Sequence, residues 1–592
     1  MTSLTEKLSI LTGKAFTTCN LPAEYGTVRI SDRPDLAQFQ CNGAMGAAKA
    51  AKKNPREIAD NIVRHLKEYG IFSKIEIAGP GFINFDITDD YLTAHLSEIM
   101  QNSRLGIEKY AAGETVIVDY VGPNVAKAMH VGHLRPTIIG DCIKRILAFS
   151  GYNALGDVHI GDWGLQMGQV ISAFAQRHPE WSYFNPNFQG EYPEQPPFNY
   201  SELEEIYPQA SAACKADPSQ LEKAQQATKE FQGGRAGYWA LGQQFTTLSK
   251  AHIKQNMDSV GVKFEIWKGE ADAASLIPVV EKDLREKNIF EESQGALVIP
   301  IAKNSDNKEM PPLMYYKSDG ATTYGTTDLV TLYDRVESYG AALAKIVYVV
   351  DKRQNLHFEQ VFRAARKAGY VQEAPELVHI GFGTLNGADG KPFKTREGGI
   401  MRFDQLVTMA KDKALQRLEE ANLAGDLDDA RKQDIAHKVG VAAIKFADLS
   451  NQPHVDYIFD MERMVNFEGK TGPYILYQAV RIQSLLRKAE EQNFKISGEA
   501  VITISDQDRP LALLLTEMPD AFDAALRHYM PHHLCDYAYR LAAGFSSFYG
   551  NCHILSESDE ARKASRLALC ALTCRQLALV LGWLGIDIPE RM

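Results

Sequence analysis

Two near-continuous apolar runs, Thr115-Val116-Ile117-Val118 and Lys345-Ile346-Val347-Tyr348-Val349-Val350, constrain this chain more than any other feature. A strand with one wet face alternates apolar and polar residues. A strand covered on both faces reads as an unbroken apolar run, the mark of a parallel sheet clad in helices. A helical pattern follows each run. Beyond Asp351, the stretch Asn355 to Tyr370 puts Phe358, Val361, Phe362 and Ala365 on one face, with Gly369 as its stop, and LVHIGFG at 377–383 reads as the next strand. This is a βαβ unit. Residues 113–450 therefore read as a doubly wound sheet whose ligands sit beyond the carboxyl ends of its strands.

The flanks follow other rules, and at 592 residues the chain is too long for one ordinary core. Residues 1–112 mix short strands and helices, so they read as an α+β module. Asn54-Pro55 caps and starts a helix with Ile58, Ile62, Val63 and Leu66 on one face and Gly70 as its stop. The segment IEIAGPGFINFDI reads as two strands joined by Gly79-Pro80-Gly81; in the second, Ile83, Phe85 and Ile87 share a face and leave Phe82, Asn84 and Asp86 on the other. Residues 451–592 lose the strand pattern and read as an all-α bundle, with Ile475, Ala479, Ile482 and Leu486 on one stripe. Pro179, Pro186, Pro193, Pro196, Pro197, Pro208 and Pro218 mark residues 179–235 as an irregular surface insertion in the sheet domain.

Composition narrows the setting. With 45% apolar residues and no run of about 18 of them, no membrane span is expected; the N-terminus lacks the apolar core of a secretory signal, so the expected address is cytoplasmic. The eight cysteines are scattered, without CxxC spacing, as suits free thiols in a reducing compartment; Cys570 and Cys574 read as core filling. A net charge of −11 opposes general coating of nucleic acid but permits a local basic track.

His130-Val131-Gly132-His133 falls after a buried strand and opens a helix whose apolar face continues through Ile139, Cys142, Ile143, Ile146 and Leu147. Strand, loop and helix N-terminus is where backbone N–H groups and the helix dipole attract phosphate. Imidazoles three residues apart can both donate to phosphate oxygens, and Gly132 lets a flat ring approach the backbone. As a metal site the pair lacks the nearby carboxylate or third histidine that a usable set needs, so no metal ligand is expected.

The run from Val118 to Arg135, VDYVGPNVAKAMHVGHLR, resembles the first signature of class I arginyl-tRNA synthetases. Further similarities follow in order, GDWGLQMG from Gly161, YGTTD from Tyr324 and QNLH from Gln354, and the flanks add NPREIA from Asn54, GFINF from Gly81, Phe467-Glu468-Gly469, Gly472-Pro473-Tyr474 and the closing Pro-Glu-Arg-Met. Together these span nearly the whole chain. The resemblance implies a Rossmann-type catalytic domain between an N-terminal module that binds the tRNA elbow and a C-terminal anticodon-binding bundle. It also implies ATP as a substrate, Mg²⁺ bridging its phosphates, and L-arginine and its tRNA as the other substrates. Two departures stand out. Val121 occupies the place of the family's usual serine before Gly122-Pro123-Asn124, and the second class I signature is present only as Lys391-Pro392-Phe393-Lys394-Thr395-Arg396.

Site roles follow from the same resemblance. Lys127, His130, Gly132, His133, Lys391, Lys394 and Arg396 are expected on the ATP phosphates, with Asp119, Asn124, His130, Tyr324, Asp328 and Gln354 around arginine. A planar cation with five donors calls for carboxylates. On position alone Asp119 could instead cap a neighbouring helix. Phe82 and Asn84 match residues that meet a base at the tRNA elbow. The alternatives are another HxGH nucleotidyltransferase, which would need neither the helical bundle nor the Tyr324/Asp328 spacing, and a noncatalytic RNA-binding relative that had lost the histidines or the basic loop. A monomer is the default expectation.

Overall fold

The strand Thr115–Tyr120 (β1), every residue of it buried, lies inside a four-stranded sheet with Asn153–Asp157 (β2), Leu343–Asp351 (β3) and Glu376–Phe382 (β4). The spatial order is β4-β3-β1-β2 and every pairing is parallel. From β1 the chain moves outward on one side to β2, then returns to build β3 and β4 on the other. The order reverses between β1 and β3, so the crevice for a ligand opens at their carboxyl ends. Asp119 pairs in register with Tyr348 there. The computed structural model describes residues 3–391, 393, 401–423, 425, 427–494 and 502–592.

Helices Leu134–Phe149 (α1), Tyr324–Tyr339 (α3) and Asn355–Lys367 (α4) pack about these strands, whereas Leu165–Arg177 (α2) packs against the helices of the 179–235 segment. Ile117 and Ile346 share one core with Leu329 and Leu332 of α3 and Phe358, Val361 and Phe362 of α4. The expected face of α4 is thus the buried one. A second insertion adds a small antiparallel sheet of Glu291–Ser293, Ala296–Ile299 and Leu313–Tyr316 that the strand reading did not anticipate.

The proline-rich segment 179–235 is more regular than expected, since it contains the helices Tyr200–Ala216 and Pro218–Gln232. Asn199 and Asp217 cap them through their side chains, and Pro218 sits at the first helical position, where a missing N–H has no partner to lose. Pro208 is carried inside the first helix. The longest irregular stretch, 185–199, holds Pro186, Pro193, Pro196 and Pro197.

The chain forms two compact units. One comprises Tyr110–Arg417 and Ala443–Val465, the other Met1–Lys109, Leu418–Ala442 and Asn466–Met592. Within the latter, the N-terminal module has a four-stranded antiparallel sheet in which Phe82–Ile87 lies between Phe39–Cys41 and Phe72–Ala78. Pro55–Lys67 is the capped helix read from the sequence, with Ile58, Ile62, Val63 and Leu66 buried. The C-terminal half of this unit is helical, through Gly472–Glu491, Met518–His528, His532–Asn551 and Glu560–Trp583. Arg509 joins the two halves by donating to the Ile87 carbonyl and pairing with Asp89, while Arg575 donates to the Met100 carbonyl at 2.8 Å. Glu560–Trp583 is long and apolar enough to cross a membrane by length and composition, but Leu569, Cys570, Leu572 and Leu581 bury it as a core helix of this bundle. All eight cysteines are free, and burial pushes the Cys570 thiol well up.

Candidate active site

Beyond β1 the backbone turns sharply. Val121, Gly122 and Ala126 all have positive φ, at 84°, 55° and 64°. For a β-branched residue such as Val121 that conformation is strained, and strain of this kind persists where the surroundings over-determine it. The surroundings here are explicit. Gly161 N–H donates to the Pro123 carbonyl at 3.0 Å, Val125 N–H donates to the Gly161 carbonyl at 2.9 Å, and Ala126 N–H donates to Ser249 Oγ at 3.1 Å. Gly161 has no room for a side chain, because a Cβ there would lie 2.3 Å from Asn124 Oδ1. The motif GDWG thereby fixes Asn124, two residues that the sequence places far apart.

Val131–His133 forms a single 3₁₀ turn ahead of α1. His130 Nδ1 accepts from Gly132 N–H at 3.0 Å and His133 Nδ1 accepts from His130 N–H at 3.1 Å. The ring centroids are 4.2 Å apart. Burial, reinforced by Lys127, lowers the His130 pKa to about 4; burial, His130 and Lys127 lower that of His133 to about 3. Both rings are therefore neutral near pH 7. Since each Nδ1 is an acceptor, each proton is on Nε2, and the pair offers two neutral N–H donors. A Cβ on Gly132 would stand 2.7 Å from the His130 ring.

The segment that follows the basic loop is stitched to this turn. Val131 N–H donates to the Met401 carbonyl at 2.9 Å and Phe403 N–H donates to the Met129 carbonyl at 3.0 Å. Lys391 is exposed, and Phe393 packs on Phe459 with centroids 4.8 Å apart. Lys394 and Arg396 lie outside the described residues.

The expected arginine ligands do not all converge alike. Tyr324, at the first turn of α3, is 65% exposed at the mouth of the site, and Gln354 is exposed ahead of α4. Asp328 accepts from His357 Nε2 at 2.5 Å. Asp119 is buried and already holds a guanidinium, because Arg335 from α3 donates to its Oδ2 at 2.5 Å and to Asp157 Oδ2 at 2.7 Å. It is therefore an ion-pair partner within the fold, and no helix cap. Three residues that sequence reasoning passed over complete this side: Glu270, His159 and Arg335. Glu270 is brought in by the parallel bridge between Ile160 and Gly269. Burial raises its pKa to about 7, with Asp328 and Asp162 adding to the rise against His159. Burial likewise raises Asp162 to about 6, although the carboxylate accepts from Ala271 N–H at 2.8 Å. Tyr324 stands within electrostatic reach of both Glu270 and Asp328. Among the described residues one carboxylate and histidine group, Asp119, Asp157 and His159, is close enough to share a cation, and Arg335 occupies its carboxylates.

In the other unit Phe82 is half-buried against the hairpin turn, where its ring would touch a Cβ on Gly79 at 3.3 Å. Asn84 is buried, and its Oδ1 accepts from Gln40 Nε2 at 2.9 Å. The sequence puts both on one polar face; only Phe82 keeps surface to offer.

A parallel sheet with neutral HxGH imidazoles beyond the strand at its switch point is the catalytic core of a class I aminoacyl-tRNA synthetase. Comparison with known families is specific. Residues 95–461 match the model described as tRNA synthetases class I (R), catalytic domain; residues 3–87 match the arginyl tRNA synthetase N terminal domain, and residues 475–592 match the DALR anticodon binding domain. The chain is 48% identical over 592 residues to the arginine–tRNA ligase of Hyphomonas neptunium and 45% identical over 592 residues to that of Alkaliphilus oremlandii, with 100% of each protein covered. Its fold is similar to the arginyl-tRNA synthetase of Plasmodium falciparum, with TM-score 0.81, 26% identity and 100% of both chains covered. The chain belongs to the arginyl-tRNA synthetase family.

Proposed function

We propose that this chain is an arginine–tRNA ligase, which activates L-arginine with ATP and transfers it to the 3′-terminal adenosine of tRNA(Arg), releasing AMP and pyrophosphate. The observation that carries the reading is the turn beyond β1 in which His130 and His133 each accept at Nδ1 and so present neutral Nε2 donors; on the proposed guanidinium side Glu270 and Asp328 supply the carboxylates. The first wall suits an anion, the second a cation.

In this reading the arginine carboxylate attacks the α-phosphate, and pyrophosphate leaves. His130 and His133 donate from Nε2 to the phosphate oxygens as charge builds, and Lys127 adds positive charge beside them, as do Lys391, Lys394 and Arg396 from the basic loop. Gly132 keeps the backbone open to the nucleotide. Glu270, Asp328 and Tyr324 take the guanidinium, Gln354 and Asn124 orient the amino-acid backbone, and Asp119, shared with Arg335, faces the ammonium group. Mg²⁺ would travel with the nucleotide: among the described residues the one carboxylate and histidine group that could share a cation is held by Arg335, so no step is assigned to a protein-bound metal. The 2′-hydroxyl of the tRNA then attacks the adenylate carbonyl and AMP departs. Residues 1–112 serve the tRNA elbow through Phe82, with Asn84 beside it, residues 113–450 catalyse, and residues 451–592 bind the anticodon. The enzyme is read as a cytoplasmic monomer, its free cysteines fitting a reducing compartment.

Pyrophosphate exchange with each of the twenty amino acids, with and without tRNA, tests the reading. Exchange is expected with arginine alone and only when cognate tRNA is present; exchange driven by another amino acid would overturn it.

A further inference from the structure

Two residues after His133, the guanidinium of Arg135 is buried at 1% exposure in the first turn of α1. Its Nε donates to Asp448 Oδ2 at 3.2 Å and its Nη1 to the Val455 carbonyl at 2.8 Å, while Tyr457 donates its hydroxyl to the same Asp448 oxygen at 3.0 Å. Tyr457 in turn belongs to a short parallel ladder, Leu385 with Tyr457 and Asn386 with Ile458, which extends the chain leaving β4. The strand order puts β3 between β1 and β4. The Arg135 group thus ties the helix that follows β1 to the extension of β4, two strands away.

Desolvation makes a buried ion pair a poor device for stability alone, and this one leaves Arg135 Nη2 and Asp448 Oδ1 without partners. A pair of apolar side chains would fill the same place at less cost. What a directional pair adds is register, and the register here is that of the turn carrying the histidines. Arg135 lies two residues beyond His133 in the first turn of α1, where Thr137 Oγ1 also donates to the His133 carbonyl at 2.6 Å. We infer that Arg135, Asp448 and Tyr457 are positioning residues for adenylate formation, which hold the His130/His133 donors at the place where phosphate charge develops. The inference rests on the synthetase reading above and adds to it residues that touch no substrate.

The test is arginine-dependent pyrophosphate exchange in the presence of tRNA, with rates expressed per titrated active site. Asp448→Asn is expected to lower kcat tenfold or more while KM for arginine stays within twofold of wild type, and Tyr457→Phe, which removes one oxygen, to lower kcat about threefold. In a His133→Ala background both effects should shrink, because the ring that the tie aims is gone. Unchanged kcat per site in the Tyr457→Phe and Asp448→Asn enzymes, whatever their melting temperatures, would overturn the inference, as would losses of the same size in the His133→Ala background. If Asp448→Asn does not fold, Tyr457→Phe decides. A wild-type enzyme without arginine-dependent exchange would overturn the synthetase reading, and this inference with it.

Discussion

Around His130 and His133 the site offers neutral N–H donors with one lysine behind them; around Glu270 it gathers carboxylates, and burial, with Asp328 and Asp162 nearby, raises the Glu270 pKa to about 7. The contrast reflects what each wall meets. Phosphate arrives with its own charge and gains more during reaction, so fixed dipoles suffice and need no counter-proton. Arginine's cation is constant throughout, and only full negative charge, desolvated before the substrate arrives, separates it from a neutral analogue of the same shape. In the proposed reading one wall serves the transition state and the other the ground state.

The comparison breaks most visibly on its acidic side. Glu270→Gln or Asp328→Asn should cost about 2–4 kcal/mol of arginine binding, a rise of roughly thirty- to a thousandfold in KM, with ATP little affected and discrimination against citrulline reduced. Equilibrium binding of arginine to both variants checks this, and unchanged affinity would place the guanidinium elsewhere. On the other wall, His130→Ala or His133→Ala should lower kcat roughly ten- to a hundredfold, from about 1.5–3 kcal/mol of charge-assisted bonding, at nearly constant KM for arginine. A rise in KM with kcat unchanged would contradict the division.

Acidity separates the walls without a mutation. Glu270, with its pKa at about 7 in the free site, must lose its proton to face the cation, so arginine affinity should weaken as pH falls from 8 to 6, by up to about tenfold for one group. Over the same window His130 and His133 stay neutral, their pKa values being about 4 and 3. The kcat at saturating arginine should therefore stay flat, and a parallel fall in both parameters would refute the assignment. The smallest effect is a control for the pair. Phe82→Ala, in the other compact unit, should raise KM for tRNA about fivefold through a lost stacking contact and leave both walls untouched at saturating tRNA. The KM for tRNA of a variant shown to be folded decides it.

How much of this could be read without coordinates depends on whether the signal was local. The buried strands β1 and β3 announce themselves because a parallel strand is apolar on both faces, and the HxGH turn because its function needs four consecutive residues. Asp119 was legible as a carboxylate at the strand end; its partner Arg335 was not, since α3 delivers that side chain from a helix with no signature of its own at that point. Glu270 was missed for a similar reason, as a single parallel bridge at Gly269 aims it and nothing in the surrounding residues does. Segment 179–235 was misjudged by counting prolines without asking where they fall, for Pro218 at a helix start favours the helix that it was taken to exclude.

The order in which the polypeptide is made gives its division into two units a temporal meaning. The chain crosses between them four times, and the module formed by Met1–Lys109 is completed by helices that begin near Arg509. At synthesis rates of about 5–20 residues per second, Ile87 and Asp89 wait on the order of 20–80 seconds for the arginine that binds them. Within that interval the entire catalytic sheet, Thr115 to Phe382, is synthesised. The module around Ile87 and Asp89 thus waits for native neighbours made much later, so a nascent chain cut short after the catalytic region carries an N-terminal module still lacking its partner.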